Sequence, residues 1–401
     1  MSVLVPVAEA RRRLVDSLKP LATESVSVMD AVGRVLAEDV TATVSHPPAD
    51  VSAMDGYAVR SADVTKVPVQ LTVVGESAAG HPWNGTVDRG QAARIFTGAH
   101  MPKGADAIVI QEDADVSGTV VTIKESSVAQ RHVRPAGQDF KTGDVVLRAP
   151  KRLTARDIGL AGAANAAHVT VFRKPRVGVL STGDEIALPG ESVGLHQIVS
   201  ANGPSICAFV RDRGGIDLHL GVVRDEATAL RAALDRAEPI DLLVTSGGVS
   251  VGDRDLMKQA LSTDDFALTF HKIAMRPGKP LLFGHLKGLP IMGLPGNPVS
   301  AMVCAILFLG AALDRLQGLP GAAPATLPAR LGADMKPNDG REDYVRARLE
   351  RAADGGLIAT PFAKQDSAMI SALAQAGALI VRAPHAPAAK AGDQVSTLIL
   401  E

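Results

Sequence analysis

The sequence predicts a multidomain protein of mixed α/β and β class: a central α/β domain with a mostly parallel sheet, a β-rich inserted module, an N-terminal helical segment and a C-terminal all-β domain. Three observations carry this expectation. Between 175 and 316, apolar strand-like runs alternate with helix-like ones. Between 46 and 137, short β-rich runs are separated by Gly, Pro and Asp turns. After a Gly/Pro/Ala-rich stretch at 317–328, the chain returns to short strand patterns up to its end.

A chain of 401 residues exceeds what one core usually organises. The expected division is 1–45 with 138–174 as a helical and extended N-terminal domain, 46–137 as the inserted β-rich domain, 175–318 as the α/β domain and 325–401 as the C-terminal β domain. The first element is a helix after Pro6, with Val7, Arg11, Leu14 and Leu18 on one face. The runs VPVQLTVVGES, AARIFTG, DAIVIQED and TVVTIKES supply strands for the inserted module. Thr154 is a candidate N-cap for the helix ARDIGLAGAA. In the α/β stretch, RVGVLST is a buried strand. PSICAFVRDR is a helix with Asn202 as its expected N-cap and Gly214 as its stop. IDLHLGVV and IDLLVTSGG are further strands, and the helix between them is expected to be capped by Asp225. DRDLMKQAL is the helix that follows the second. This alternation predicts helices on both faces of the sheet and a ligand beyond the carboxyl ends of its strands. ARLGADM, YVRARLE, GLIATPF, ALIVRA and QVSTLIL are the strands of the last domain.

Composition narrows the function. Forty-two basic residues against 43 acidic ones leave a net charge of −1, which predicts neither a nucleic-acid nor a membrane-surface partner. The N-terminus lacks the order of a signal peptide, and the apolar run 301–313 is short of the roughly 20 residues a bilayer span takes. Cys207 and Cys304 sit in apolar helical patterns, as expected of reduced thiols in a cytoplasmic protein.

Four clusters in the α/β stretch can carry chemistry. In the segment 246–255, Ser246 ends a strand, and Gly247, Gly248 and Gly252 let the backbone approach a ligand. Ser250 lies in the same loop. The helix starting near Asp253 offers free N–H groups to a phosphate, and Asp253 and Asp255 beside it suggest Mg²⁺. A tight turn with an Asp cap is the plainer alternative. The second cluster is STGDE, with Thr182, Gly183, Asp184 and Glu185 at the end of another strand on the same sheet edge; a surface turn is its alternative. The third is basic: Lys272, Arg276 and Lys279 in HKIAMRPGKP, where a Pro-Gly turn can present Arg276 and Lys279 to an anion, or simply form a solvated hairpin. The fourth, GLPGNPVSAM, uses Pro295 and Pro298 to stiffen the entry into a helix. No protein nucleophile of the Cys–His kind and no HExxH spacing is present.

Together, SAMDGYAV, FTGAHMPKGADAIV, RPAGQDFKTGD, LSTGDE, TSGGVSVGDRD, MRPGKP and LPGNPVSA resemble, in order and spacing across the whole chain, the molybdopterin molybdotransferase family (MoeA and the E domain of gephyrin). The resemblance implies a molybdopterin-binding type of α/β domain at 175–318. It implies a reaction in which molybdate and adenylylated molybdopterin give molybdenum cofactor and AMP, assisted by Mg²⁺ or another divalent cation. It also implies a homodimer in which Asp55, Thr97 and Asp139 reach the cleft from the partner subunit. By the same carry-over, Asp55, Asp139, Glu185, Asp225, Asp255, Lys272 and Arg276 are catalytic, with Glu185, Asp253 and Asp255 as metal ligands. Thr97, Thr182, Gly183, Ser246, Gly247, Gly248, Ser250, Lys279, Pro295, Pro298, Arg346 and Ser371 are then substrate-binding. Arg276 stands where some relatives have lysine, which keeps the charge and changes its geometry. A molybdopterin adenylyltransferase and cofactor-receiving proteins are implied partners. The alternatives are a non-catalytic molybdopterin-binding scaffold and a tungstate-inserting paralogue.

Overall fold

The computed structural model describes residues 4–223, 239–247 and 266–400. It separates into two compact units, Met1–Glu24 with Phe172–Glu401, and Ser25–Val171.

The first unit is built on a six-stranded sheet. Its strands are β1 (Arg176–Thr182), β2 (Ile216–Val223), β3 (Leu242–Ser246), β4 (Phe266–His271), β6 (Leu282–Leu286) and β7 (Leu289–Leu294), while β5 (Met275–Arg276) lies outside it. The order is β2-β1-β3-β7-β6-β4. The pairs β1–β2, β1–β3 and β3–β7 are parallel, and only β6 runs against its neighbours, so the sheet is mostly parallel as expected. Val177, Val179, Leu180, Leu242, Leu243 and Val244 are fully buried, which is why these strands read as continuous apolar runs rather than alternating ones. From β1 the chain goes first to β2 on one side and later to β3 on the other. The crevice where such a sheet holds its ligand therefore opens between the carboxyl ends of β1 and β3.

Three helices frame this sheet among the described residues. The helix α1 (Val7–Ser17) buries Val7, Ala10 and Leu14 in the same apolar cluster as Val179, Val244, Phe283 and Phe308. Of the segment 1–45 expected to join 138–174, the helix thus packs on the α/β core, because its apolar face complements that core, while 25–45 pairs with 145–171 in the second unit. The helix α2 (Asn202–Asp212) ends as expected at Gly214, whose φ of +79° ends the turn while its N–H bonds Arg211 O. Its N-cap is Ala201, however, so the capping role expected of Asn202 is corrected: Asn202 is the first helical residue and its side chain is engaged elsewhere. The helix α3 runs Pro298–Leu316, with a π-helical turn at Ala305–Leu309. Its 19 residues would suffice to cross a membrane by length and composition, and 78% of its apolar window is buried inside the protein. Burial, not the shortness of 301–313, makes it a core helix.

The last strands are β8 (Leu327–Leu331), β9 (Glu342–Arg351), β10 (Leu357–Pro361), β11 (Ala378–Arg382) and β12 (Gln394–Ile399). They follow the order β9-β10-β8-β12-β11, and β11 also pairs with β9, which closes a small barrel around Ala329, Leu331, Ala347, Ala359 and Ile380. The short β5 pairs in parallel with β9, Arg276 opposite Asp343. The basic turn of the α/β domain is thereby stitched by backbone to the barrel.

In the second unit, six strands between Gly56 and Ile123 form one sheet over a core of Tyr57, Val59, Leu71, Val109 and Val121. The helix Ala155–Ala163 is capped by Thr154 as expected, and the Asp157 carboxylate accepts both the Thr154 N–H and hydroxyl at 2.8 Å.

Candidate functional site

Within the first unit a cavity of about 720 Å³ opens at the carboxyl ends of β1 and β3. The loop after β1 contributes Thr182 and Glu185. The end of β3 contributes Ser246 and Gly247. The β5 turn brings Arg276, Pro277 and Lys279, and the loop into α3 brings Pro295, Gly296, Asn297 and Pro298. The barrel supplies the facing wall through Arg341, Asp343, Tyr344, Val345, Gln365 and Ser367. Described members of all four sequence clusters therefore line one cavity, although they are far apart in the chain.

Close backbone approach explains the glycines. Gly247 has φ +98°, and a Cβ there would lie 2.5 Å from the carbonyl oxygen of Thr182 and 2.9 Å from its hydroxyl. Only glycine lets the two strand-end loops approach this closely. Gly278, with φ +112°, packs where a Cβ would sit 2.6 Å from Cys304 Sγ, which turns Arg276 and Lys279 toward the cavity.

The charges divide unequally. Arg276 donates to the buried carboxylate of Asp343 and lies 3.7 Å from Asp339, which also pairs with Arg341 at 2.6 Å. The hydrogen bond from Arg341 holds the Asp339 carboxyl at about 2, well below its usual range. Two of the three cavity-lining cations are thus committed to acids. Lys279 is exposed at the cavity and has no acidic partner among the described residues. Burial, followed by the hydrogen bond to Glu342, pushes the Tyr344 phenol far up, so it remains neutral. Several buried polar atoms here lack partners among the described residues: Thr182 Oγ1, Asn202 Oδ1 and Asp343 Oδ1. Leaving such groups unpaired is costly, a pattern expected where a ligand completes the hydrogen bonding.

The remaining predicted residues fall in other places. Gly183 lines an adjoining depression with Asp184 and Glu191. Lys272, with φ +68°, is absent from the cavity wall and serves the hairpin neck, its N–H bonding Leu281 O at 3.1 Å. Arg346 is 1% exposed and acts from behind the wall. It donates to Gln365 Oε1 and Met369 O, bracing the segment that carries Gln365 and Ser367. Ser371 sits exposed on the short helix Ile370–Ala374. Asp225, Gly248, Ser250, Asp253 and Asp255 lie outside the described residues. Asp55, Thr97 and Asp139 belong to the second unit. There the Asp55 carboxylate accepts the Thr97 N–H and hydroxyl, both at 2.7 Å, bonds that hold its pKa down. Asp139 and Gly98, next to Thr97, line a second cavity of about 650 Å³ with His46, His100 and Arg134.

Sequence reasoning missed Asn202, Asp343, Tyr344, Gln365 and Ser367 as wall residues. Asn202 had only the signature of a cap, and Asp343 only that of a charge at the start of a strand. No three His, Cys, Asp or Glu side chains among the described residues cluster tightly enough to hold a metal ion. Glu185 is the one expected metal ligand that is placed at the cavity.

Three family models match the chain: MoeA N-terminal region (domain I and II) over 5–164, probable molybdopterin binding domain over 178–315, and MoeA C-terminal region (domain IV) over 328–400. A molybdopterin molybdenumtransferase of Haemophilus influenzae is 34% identical over 398 residues, 98% of either chain. One from Nostoc is 37% identical over 82% of this chain and 77% of its own. A crystal structure of a MoeA protein of molybdopterin biosynthesis from Pyrococcus horikoshii superposes with a TM-score of 0.85 at 29% identity, covering 99% of this chain and 100% of that one.

Proposed function

Because this chain belongs to the MoeA family and is a molybdopterin molybdenumtransferase acting in molybdenum cofactor biosynthesis, we propose that its α/β cavity is where molybdate meets adenylylated molybdopterin and AMP is released. The observation that supports this placement most directly is the pairing of a cation with no acidic partner among the described residues, Lys279, with hydroxyl- and glycine-bearing strand ends at a topological switch point. A tetrahedral oxyanion needs such a charge, and Arg276 is less available because Asp343 and Asp339 already hold it. The flat pterin fits the apolar part of the wall formed by Ile186, Ile198, Val199, Pro277 and Tyr344, within a volume ordinary for small-molecule sites.

The chain's own groups then have separable tasks. Thr182 and Ser246 offer hydroxyls to phosphate or pterin oxygens. Gly247 lets the ligand approach the backbone. Lys279 offsets charge on the anion. No protein nucleophile is needed: AMP leaves as the P–O bond of the activated phosphoanhydride breaks, and the oxygen that replaces it on the pterin-side phosphorus comes from molybdate or water. A divalent cation, Mg²⁺ in our reading, would supply further charge neutralisation when bound. Among the described residues Glu185 alone offers it an uncommitted carboxylate at the cavity, so no step is routed through it here.

We further propose a cytoplasmic homodimer in which a second copy brings its Asp55, Thr97 and Asp139 to the cavity. The supporting observations are that Asp55 accepts the Thr97 N–H and that Gly98, next to Thr97 in the chain, lines one cavity of the second unit with Asp139. A molybdopterin adenylyltransferase would deliver the substrate, and apo-enzymes would receive the product. The test is to mix the purified chain with adenylylated molybdopterin, Mg²⁺ and molybdate and to follow AMP. Molybdate-dependent AMP release is expected. Its absence, with the protein folded, would overturn the assignment.

A further inference from the structure

Asn202 was expected to cap a helix, and instead its side-chain amide crosses the crevice. Its Nδ2 donates to Ser246 Oγ at 2.6 Å and to the carbonyl oxygen of Gly296 at 2.7 Å. The carbonyl of Gly296 can only accept, so the amide orientation is fixed: nitrogen toward the two loops, oxygen away. That oxygen, Asn202 Oδ1, is buried without a partner among the described residues. One side chain on α2 therefore ties the end of β3 to the loop that enters α3, with an unsatisfied acceptor as the cost.

From this we infer that Asn202 is a positioning residue for the bound substrate, acting through Ser246. A serine hydroxyl carries one hydrogen and two acceptor sites. Because the Asn202 N–H occupies an acceptor site of Ser246, the Ser246 hydrogen is left to donate elsewhere, and Ser246 lines the cavity. Asn202 thereby sets Ser246 as a donor toward a ligand oxygen. The bond to Gly296 holds the opposite loop, with Pro295 and Pro298, at a fixed distance from it. A cap on α2 would need none of this geometry. The inference rests on the proposed use of this cavity for molybdopterin.

Asn202→Ala and Asn202→Asp are compared with the wild type in AMP release and in equilibrium binding of molybdopterin, followed by its own fluorescence. The aspartate is isosteric but brings no N–H, so it separates donation from volume. Both variants are expected to lower kcat/KM by about 10- to 100-fold, chiefly through KM, as for loss of a buried donor. Both should melt within a few degrees of the wild type. In a Ser246→Ala background, Asn202→Ala is expected to add almost nothing, since its effect passes through that hydroxyl. Fully additive losses, or an Asn202→Asp variant with wild-type KM, would overturn the inference. A wild-type chain that binds molybdopterin without releasing AMP would instead sink the catalytic reading, while the binding arm still decides the role of Asn202. A chain that does neither refutes both.

Discussion

Gly247→Ala tests most directly whether the loops after β1 and β3 form the site by close approach. Two costs arise. A φ of +98° disfavours an L side chain, by about 1–2 kcal/mol. The added Cβ would also sit 2.5 Å from the backbone oxygen of Thr182. A backbone atom cannot rotate away, so overpacking adds about 1–3 kcal/mol. The lower conformational entropy of the unfolded alanine chain offsets only about 0.4–1 kcal/mol. A net loss of about 2–4 kcal/mol should lower the melting temperature of the first unit by roughly 5–15 °C. It should also part the two strand ends, so that AMP release falls more steeply than stability does. The control is Gly288→Ala, in the turn between β6 and β7: its φ is +87°, with nothing within 4 Å of the added Cβ. That variant bears the backbone cost alone and should keep its activity. Calorimetry with the AMP assay reads both. If Gly247→Ala melted and turned over like Gly288→Ala, the close approach of the two loops would be disproved.

Three other tests probe separate links. Lys279→Ala should raise KM for molybdate at least about tenfold with little change in melting, the loss of one charge-assisted contact; an unchanged KM would remove Lys279 from anion binding. Arg276→Ala should destabilise the first unit by about 1–3 kcal/mol, because it strands the buried Asp343 while water partly replaces the half-exposed arginine. Adding Asp343→Asn should recover part of that loss in denaturant midpoints, and if it does not, the ion pair is not the cause. In the second unit, burial raises the Asp157 pKa, but hydrogen bonds from Lys151 and Thr154 outweigh it and hold the value at about 2. A depressed folded pKa means that this stabilisation is complete above the unfolded value of about 4 and is lost as pH falls toward 2. The midpoint gap between wild type and Asp157→Asn should therefore close on acidification, and a gap constant from pH 6 to 2 would contradict the assignment.

Much of the architecture was legible because each element carried a local signal. β1 and β3 read as buried strands since every residue from Val177 to Val179 and from Leu242 to Val244 avoids polarity outside one glycine. Gly214 and Thr154 announced helix ends through turn and cap chemistry that acts within a few residues. The order of seven motifs pointed to the family before any packing was known. Charge and side-chain engagement were a different matter. Arg276 looked like an anion ligand from its turn, and only the pairing of β5 with β9 put Asp343 against it. Arg346 looked like a wall residue, and only barrel closure buried it behind Gln365.

What the sequence determined by itself was part of the strand set, β1 to β3 and β8 to β12 but not β4, β6 and β7, with the glycine-rich loops at the strand ends and the class of chemistry those loops serve, because these depend on residue type and short spacing. What the tertiary structure alone decided was which polar groups are spent on one another and which remain for a ligand. Among the described residues Lys279 is left without an acidic partner, Arg276 is neutralised and Asn202 leaves its cap to bind Ser246. The physical reason is that a hydrogen bond or ion pair depends on distances of about 3 Å between residues tens to hundreds of positions apart, and no local pattern encodes them.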